Sequence, residues 1–187
     1  MKTKNVILLV FVLLLCKIPS GIKAQEFYRP LQSYVNSLSN EFEQIDKKRK
    51  KDLEKISDYM FDVWNEKKVV RPLFVCTHNS RRSQMSQAWM LTASYYYGVT
   101  NISPSSGGTE STAFNKRAVT ALESAGFKII KGENNPDNPT YILMPGNTHT
   151  PVSMFSKKYS NTFNPQKDFF AIMVCSDADK SCPVVKG

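Results

Sequence analysis

Between residues 69 and 85 the chain reads VVRPLFVCTHNSRRSQM, and its character changes at Cys76. Residues 69–75 are mostly apolar and valine-rich, which is typical of a buried strand. From Cys76 the chain is polar, and a helical pattern then runs from Ser83 to Tyr97. This stretch predicts a strand, a polar loop and a helix in succession, which is the unit from which parallel α/β sheets are built.

The same alternation continues towards the C-terminus. It predicts strands at 100–105, 127–130 and 168–174, a glycine-containing loop at 106–109, a helix at 114–125, and a hairpin that pairs 141–144 with 152–155. The predicted fold class is α/β, a parallel sheet with helices on both faces. Sites in such sheets form at the carboxyl ends of strands. Because Cys76 and Cys175 each follow an apolar strand, we expect both cysteines at one functional edge.

The residues from Cys76 to Arg82 form a Cys-x5-Arg loop between the predicted strand and helix. Backbone N–H groups at a helix N-terminus attract an anion, and the Arg82 guanidinium can bind two oxygens of a tetrahedral anion. This environment favours the Cys76 thiolate, the nucleophilic form. Ser83 is expected to donate a hydrogen bond to that sulfur, and Asn79 to adopt left-handed backbone. The predicted oxyanion-binding set is Thr77, His78, Asn79, Ser80, Arg81 and Arg82.

The loop lies within a longer stretch, residues 73–85, that is similar to the signature of a known family. A buried core cysteine beside surface arginines would also produce Cys-x5-Arg. Residues 73–85 as a whole, however, strongly resemble the signature of the low-molecular-weight protein tyrosine phosphatase superfamily. The resemblance includes the arsenate reductase branch of that superfamily. Residues 106–110 and 114–119, SGGTE and FNKRAV, are similar to the family's second-strand and second-helix region. The resemblance covers about residues 68–187. It implies a three-layer α/β domain with a central four-stranded parallel sheet.

The segment Cys175-Ser-Asp-Ala-Asp-Lys-Ser-Cys182 resembles the redox segment of the thioredoxin-coupled arsenate reductases. That resemblance implies catalytic roles for Cys76, Arg82, Ser83, Cys175 and Cys182. Cys76 would attack arsenate, Cys175 would displace arsenite as a disulfide forms, and Cys182 would then release Cys76. It implies no bound cofactor and no metal, and it implies an external thioredoxin-like dithiol donor as partner. Arsenic detoxification is the role that would follow.

Two other functions stay open. One is a low-molecular-weight protein tyrosine phosphatase that hydrolyses phosphotyrosine through a cysteinyl-phosphate and carries a structural Cys175–Cys182 disulfide. The other is a non-catalytic oxyanion-binding or redox-sensing module. The second alternative arises because the family's general acid usually lies in an Asp-Pro segment, and this sequence has none. We therefore expect the domain to be truncated at its C-terminus.

Three positions depart from the family pattern. His78 stands where the family commonly has glycine, and Arg81 where some reductases have a further cysteine. Gln87 stands where some reductases carry a glutamate that helps to bind potassium, so that ion is not predicted.

The N-terminal residues predict export. Lys2 and Lys4 precede an apolar run of ten residues, too short to span a bilayer, and Ala24 provides a cleavage site. Residues 1–24 are thus predicted to be a signal peptide. The protein is predicted to be exported to the periplasm without a stable membrane anchor, and an uncleaved anchor is the alternative. Residues 25–67 are predicted to be a peripheral helical extension. Thioredoxin-coupled chemistry belongs to a reducing compartment, so export conflicts with the reductase assignment.

Charge gives no support for nucleic-acid binding. The formal net charge is +9, but four of the 25 basic residues lie in the predicted signal, which leaves 21 against 16 acidic ones. Much of the remainder lies in the run 47–51, KKRKK. No aromatic side chains alternate with it, so it is interpreted as a solvated helix face.

Overall fold

The protein is described from a computed structural model, which covers residues 26–66, 68–99 and 101–181. The predicted signal peptide and Cys182 lie outside these residues. The helices are α1 (Arg29–Leu38), α2 (Lys47–Asn65), α3 (Arg82–Tyr96), α4 (Lys116–Ser124) and α5 (Ser176–Ser181), with a 3-10 helix at Ser39–Gln44. The strands are β1 (Pro72–Cys76), β2 (Ser105–Gly108), β3 (Lys128–Lys131), β4 (Tyr141–Met144), β5 (Val152–Met154) and β6 (Phe170–Met173).

A three-stranded parallel sheet carries the residues of interest. Its order is β2-β1-β6, and Val75 in the central strand lies opposite Gly107 on one side and Met173 on the other. The strand predicted before Cys76 and the strand predicted before Cys175 are therefore neighbours. The α/β class is confirmed, with three parallel strands in the described part of the chain where four were expected.

A second sheet is antiparallel, in the order β3-β4-β5. The predicted hairpin is confirmed as β4 and β5. The strand predicted at 127–130 exists as β3, but it pairs with β4 instead of extending the parallel sheet. Only residues 132–140 connect β3 to β4, and a parallel crossover needs a dozen or more residues. The short connection therefore forces antiparallel pairing.

The end of β2 differs from the sequence-based expectation. Residues 106–109 were predicted as a loop because of their two glycines, yet Gly107 and Gly108 are the last residues of the strand. A side chain at Gly108 would stand 2.6 Å from the Thr77 carbonyl oxygen and 2.7 Å from the Asn79 nitrogen. The glycine is there because the strand end must approach the Cys76 loop closely, and not because the chain turns.

The extension before β1 is helical, as predicted, but only part of it is peripheral. Phe27, Leu31 and Val35, in and just before α1, join the main hydrophobic cluster with residues such as Leu122 and Leu143. By contrast, α2 has no buried residue, although Asp46 caps its first turn by accepting from two backbone N–H groups. The first helix is thus an integral part of the core, and α2 packs on its outside.

This difference predicts unequal costs for two leucine substitutions. Leu31 is fully buried whereas Leu53 is 42% exposed. Leu31→Ala should lower the free energy of unfolding by about 2–5 kcal/mol, because it leaves a cavity in a packed core. The matched change Leu53→Ala should cost about 1 kcal/mol or less. Urea unfolding of the mature chain measures both values, and equal losses would contradict the assignment of α1 to the core.

Candidate active site

Cys76 ends β1 and is buried, with its sulfur beside the first turn of α3. Its Sγ lies 3.0 Å from the Ser83 Oγ. That same oxygen accepts a hydrogen bond of 2.8 Å from the Asn79 side-chain nitrogen. Because the Asn79 amide can only donate there, the hydroxyl hydrogen of Ser83 is available to the sulfur. The Ser83 hydroxyl can therefore donate a hydrogen bond to the Cys76 sulfur.

Asn79 organises the loop that follows Cys76. It is fully buried, and its φ of 46° lies in the left-handed region. Its Oδ1 accepts from the Lys157 backbone N–H at 2.9 Å and from the Gln84 side chain at 3.3 Å. The side chain thus joins the loop to α3 and to the segment after β5. Asparagine tolerates this backbone conformation better than most residues, as the sequence analysis expected.

The carbonyl groups of the loop point away from its centre. Those of Cys76, Thr77, His78 and Ser80 each accept a hydrogen bond from a neighbouring segment, for example Glu110 N–H to the Thr77 oxygen at 2.8 Å. The N–H groups of residues 78–81 donate to no protein acceptor in the described part of the chain. Because the carbonyls bond to neighbouring segments, these N–H groups are the backbone donors available to an anion.

The loop side chains mostly make other contacts. The Ser80 hydroxyl donates to the Ala113 carbonyl at 2.7 Å, and His78 lies 3.3 Å from the Glu110 carboxylate at the rim. Arg81 and Arg82 are exposed and form no ion pair with described residues. Of the predicted oxyanion-binding set, His78, Asn79 and Ser80 would therefore act through the backbone, and the arginines through charge. The Thr77 backbone instead bonds to Cys175 and Glu110.

Cys175 lies at the carboxyl end of the neighbouring strand. The N–H of Val174 donates to the Val75 carbonyl at 2.9 Å, so the chain leaves β6 alongside Cys76. The Thr77 hydroxyl lies 3.7 Å from the Cys175 sulfur. Burial acts to raise the pKa of Cys175, but hydrogen bonds from Ala178 and Thr77 and the charge of Arg82 outweigh it, so the pKa lies below its ordinary value. Cys175 is a free thiol beside the loop.

A cavity of about 690 Å³ opens beside Cys175. Arg82, Met173, Cys175 and Asp179 line it, and so does Arg49 from α2. Sequence analysis missed Arg49 because the basic run 47–51 was interpreted as a solvated helix face. No short-range pattern could have distinguished Arg49 from its neighbours, since only the packing of α2 brings one residue of the run to this cavity.

Comparison with known proteins adds no relative. No family model matches the chain, and a search of curated proteins found no match. In the described residues, no three His, Cys, Asp or Glu side chains come close enough to hold a metal ion. No helix in that part of the chain combines the length and apolar character that a transmembrane helix needs.

The contact between Thr77 and Cys175 predicts the effect of one substitution on thiol ionisation. Thr77→Val removes a hydrogen bond that stabilises the Cys175 thiolate, so the pKa of Cys175 should rise. The pH profile of its alkylation by iodoacetamide, with the other cysteines replaced by serine, should shift to higher pH. Ser176→Ala, which removes a neighbouring exposed hydroxyl, is the control and should leave the profile in place. A profile unmoved by Thr77→Val would refute the role of this hydroxyl.

Proposed function

We propose that the protein is a thiol-dependent arsenate reductase, with a low-molecular-weight phosphatase-like domain whose parallel sheet has four strands. The observation that carries the proposal is the Cys175 thiol. It lies against Thr77, the residue after the nucleophile, and its pKa is lowered. A phosphatase needs only the first cysteine, whereas reduction of arsenate needs a second thiolate that can reach the first.

The first step is covalent. The Cys76 thiolate attacks arsenate bound by the free N–H groups of residues 78–81 and by Arg82. A sulfur–arsenic bond forms, and one arsenate oxygen takes up protons and departs as water. The buried hydrogen bond from Ser83 supports the thiolate before attack.

The second step transfers two electrons. The Cys175 thiolate attacks the Cys76 sulfur, the sulfur–arsenic bond breaks, and its electron pair stays on arsenic. Arsenite leaves, arsenic having passed from oxidation state five to three, and a Cys76–Cys175 disulfide remains. Cys182 then attacks Cys175 and frees Cys76, and an external dithiol protein reduces the Cys175–Cys182 disulfide.

The third step requires a change in α5. Its six residues extend about 9 Å beyond Cys175 at 1.5 Å per residue, whereas disulfide-bonded cysteines have Cα atoms roughly 4.4–6.8 Å apart. The helix is held by Ala178, which is fully buried, and by the Asp179 N–H to the Cys175 carbonyl at 3.1 Å. Its short length makes unwinding inexpensive. We propose that α5 unwinds when Cys182 reaches Cys175.

Cysteine variants of the mature, complete gene product test the relay. With a thioredoxin-like donor, the wild type should reduce arsenate repeatedly, and Cys76→Ser should be inactive. Cys182→Ser should release about one arsenite per protein molecule and then stop, because the Cys76–Cys175 disulfide cannot be resolved. Multiple turnover by Cys182→Ser would contradict the relay. Aryl-phosphate hydrolysis that survives loss of both later cysteines, without arsenate turnover, would indicate a phosphatase, and oxyanion binding without turnover a non-catalytic module.

The position of Arg49 in the cavity wall predicts that its substitution lowers substrate affinity. Arg49→Ala removes an exposed positive charge from the cavity that Arg82 and Cys175 line, so KM should rise roughly two- to fivefold with kcat little changed, as for a solvent-screened charge. Lys51→Ala removes an equal charge from the same run, at an exposed residue that does not line the cavity, and should leave KM nearly unchanged. An equal rise in both variants would attribute the effect to overall charge instead of to Arg49.

Export is a further part of the proposal. If residues 1–24 are removed on secretion, mass spectrometry of the exported protein will give Gln25 as the first residue. Outside a reducing compartment the Cys175–Cys182 pair would rest as a disulfide unless a dedicated dithiol donor exists there. Recovery of an intact N-terminus from the cytoplasm would contradict export and would remove the conflict with thioredoxin.

A further inference from the structure

A second cavity, of about 430 Å³, lies beside the edge strand β2. Its walls include Arg71, Gln87, Ser105, Phe155, Lys157 and Asn164. None of the residues from Cys76 to Ser83 lines it. Lys157 and Arg71 are the charged side chains on its wall, and no acidic, histidine, cysteine or tyrosine side chain lines it.

Lys157 is the unusual group in this cavity. The residue as a whole is only 5% exposed and lines the cavity, and no ion pair or hydrogen bond joins its ammonium to any described residue. Its one recorded contact is with the Phe155 ring, whose centroid is 4.8 Å from Nζ. Burial lowers the pKa of Lys157 to about 8, so the group is still mainly protonated at neutral pH. A buried cation of this kind lacks a counterion.

A second polar group on the same wall is also unsatisfied. Asn164 is 3% exposed, and its side-chain nitrogen donates to the Lys158 and Tyr159 carbonyls at 3.2 and 3.1 Å. Its Oδ1 then has no hydrogen-bond donor among the described residues. Unsatisfied buried polar groups are uncommon in folded proteins, but the Asn164 oxygen needs a donor, which a carboxylate lacks. The Lys157 ammonium is therefore the group on this wall that indicates a bound anion.

We propose that this cavity binds a small organic anion, with a carboxylate paired to the Lys157 ammonium and a flat apolar body against the aromatic wall. Arg71 supplies a second positive charge, and the rings of Phe155 and Phe163 lie 5.3 Å apart at the cavity. Cationic and aromatic groups together select an aromatic or planar carboxylate over inorganic anions. The site does not depend on the function proposed for Cys76.

Benzoate is a suitable probe, and Lys157→Met with Lys158→Met forms a matched pair of variants. Both changes remove one lysine charge, but Lys158 is exposed whereas Lys157 is buried. Benzoate at millimolar concentration should raise the thermal midpoint of the wild type and of Lys158→Met. In Lys157→Met the benzoate affinity should fall at least tenfold. The variant should remain folded, because methionine fills a similar volume without a buried charge.

The pH dependence gives a test that needs no variant. The carboxylate binds the protonated lysine, and Arg71 stays charged throughout. Benzoate affinity in the wild type should therefore be constant below pH 8 and fall as the pH rises above about 8. Isothermal titration calorimetry measures this between pH 7 and 10. An affinity that does not change with pH would overturn the assignment of Lys157 as the counterion.

A competition experiment with phosphate distinguishes benzoate binding in this cavity from benzoate binding at the Cys76 loop. Saturating inorganic phosphate should occupy the loop and leave benzoate binding intact. If phosphate abolishes the benzoate effect, or if Lys157→Met binds benzoate as tightly as Lys158→Met, benzoate binds elsewhere and the proposal is wrong. Absence of any stabilisation of the wild type would also overturn it. None of these results bears on arsenate turnover, so the two proposals fail independently.

Discussion

The buried amide of Asn79 is the contact on which the candidate site depends. It supports Ser83 and thereby the Cys76 sulfur, and it accepts hydrogen bonds from α3 and from the segment after β5. Its left-handed backbone lies within a loop whose carbonyls accept hydrogen bonds from the surrounding segments. A tight turn of this kind is stable only where neighbouring segments satisfy every outward carbonyl. Gly108, Glu110 and Ser156 belong to those segments, which explains why a strand end without side chains lies against the loop.

Parallel pairing of β1 with β6 provides the second constraint. Adjacent parallel strands end at the same edge, so residues 98 positions apart in the sequence become neighbours there. Cys175 meets Thr77 for this reason. The extension contributes in two different ways: α1 fills the core, whereas α2 carries one arginine to the cavity beside Cys175. Every residue of the run is partly or fully exposed, and of the five only Arg49 lines this cavity.

Local sequence predicted the elements well where one segment decides its own structure. The strand before Cys76, the helix after it, the 141–155 hairpin and the strand before Cys175 all form close to their predicted positions. Predictions were wrong where the same sequence feature is compatible with two different structures. Gly107 and Gly108 were interpreted as turn residues, but they permit close packing in a strand. The strand at Lys128–Lys131 was assigned to the parallel sheet from alternation alone, although the short connection to β4 forces antiparallel pairing.

The sequence by itself determined the chemical groups: a cysteine, an arginine and a serine at fixed spacing on a strand-loop-helix unit, and a second cysteine at the end of another apolar strand. These follow from short-range order, because hydrogen bonding and helix capping act over a few residues. The tertiary structure alone decided that Cys175 contacts the loop, that Arg49 faces the cavity, and that Lys157 is buried without a counterion. Those facts depend on which distant segments pack together, and the free energy of packing comes from buried surface, which no local pattern records.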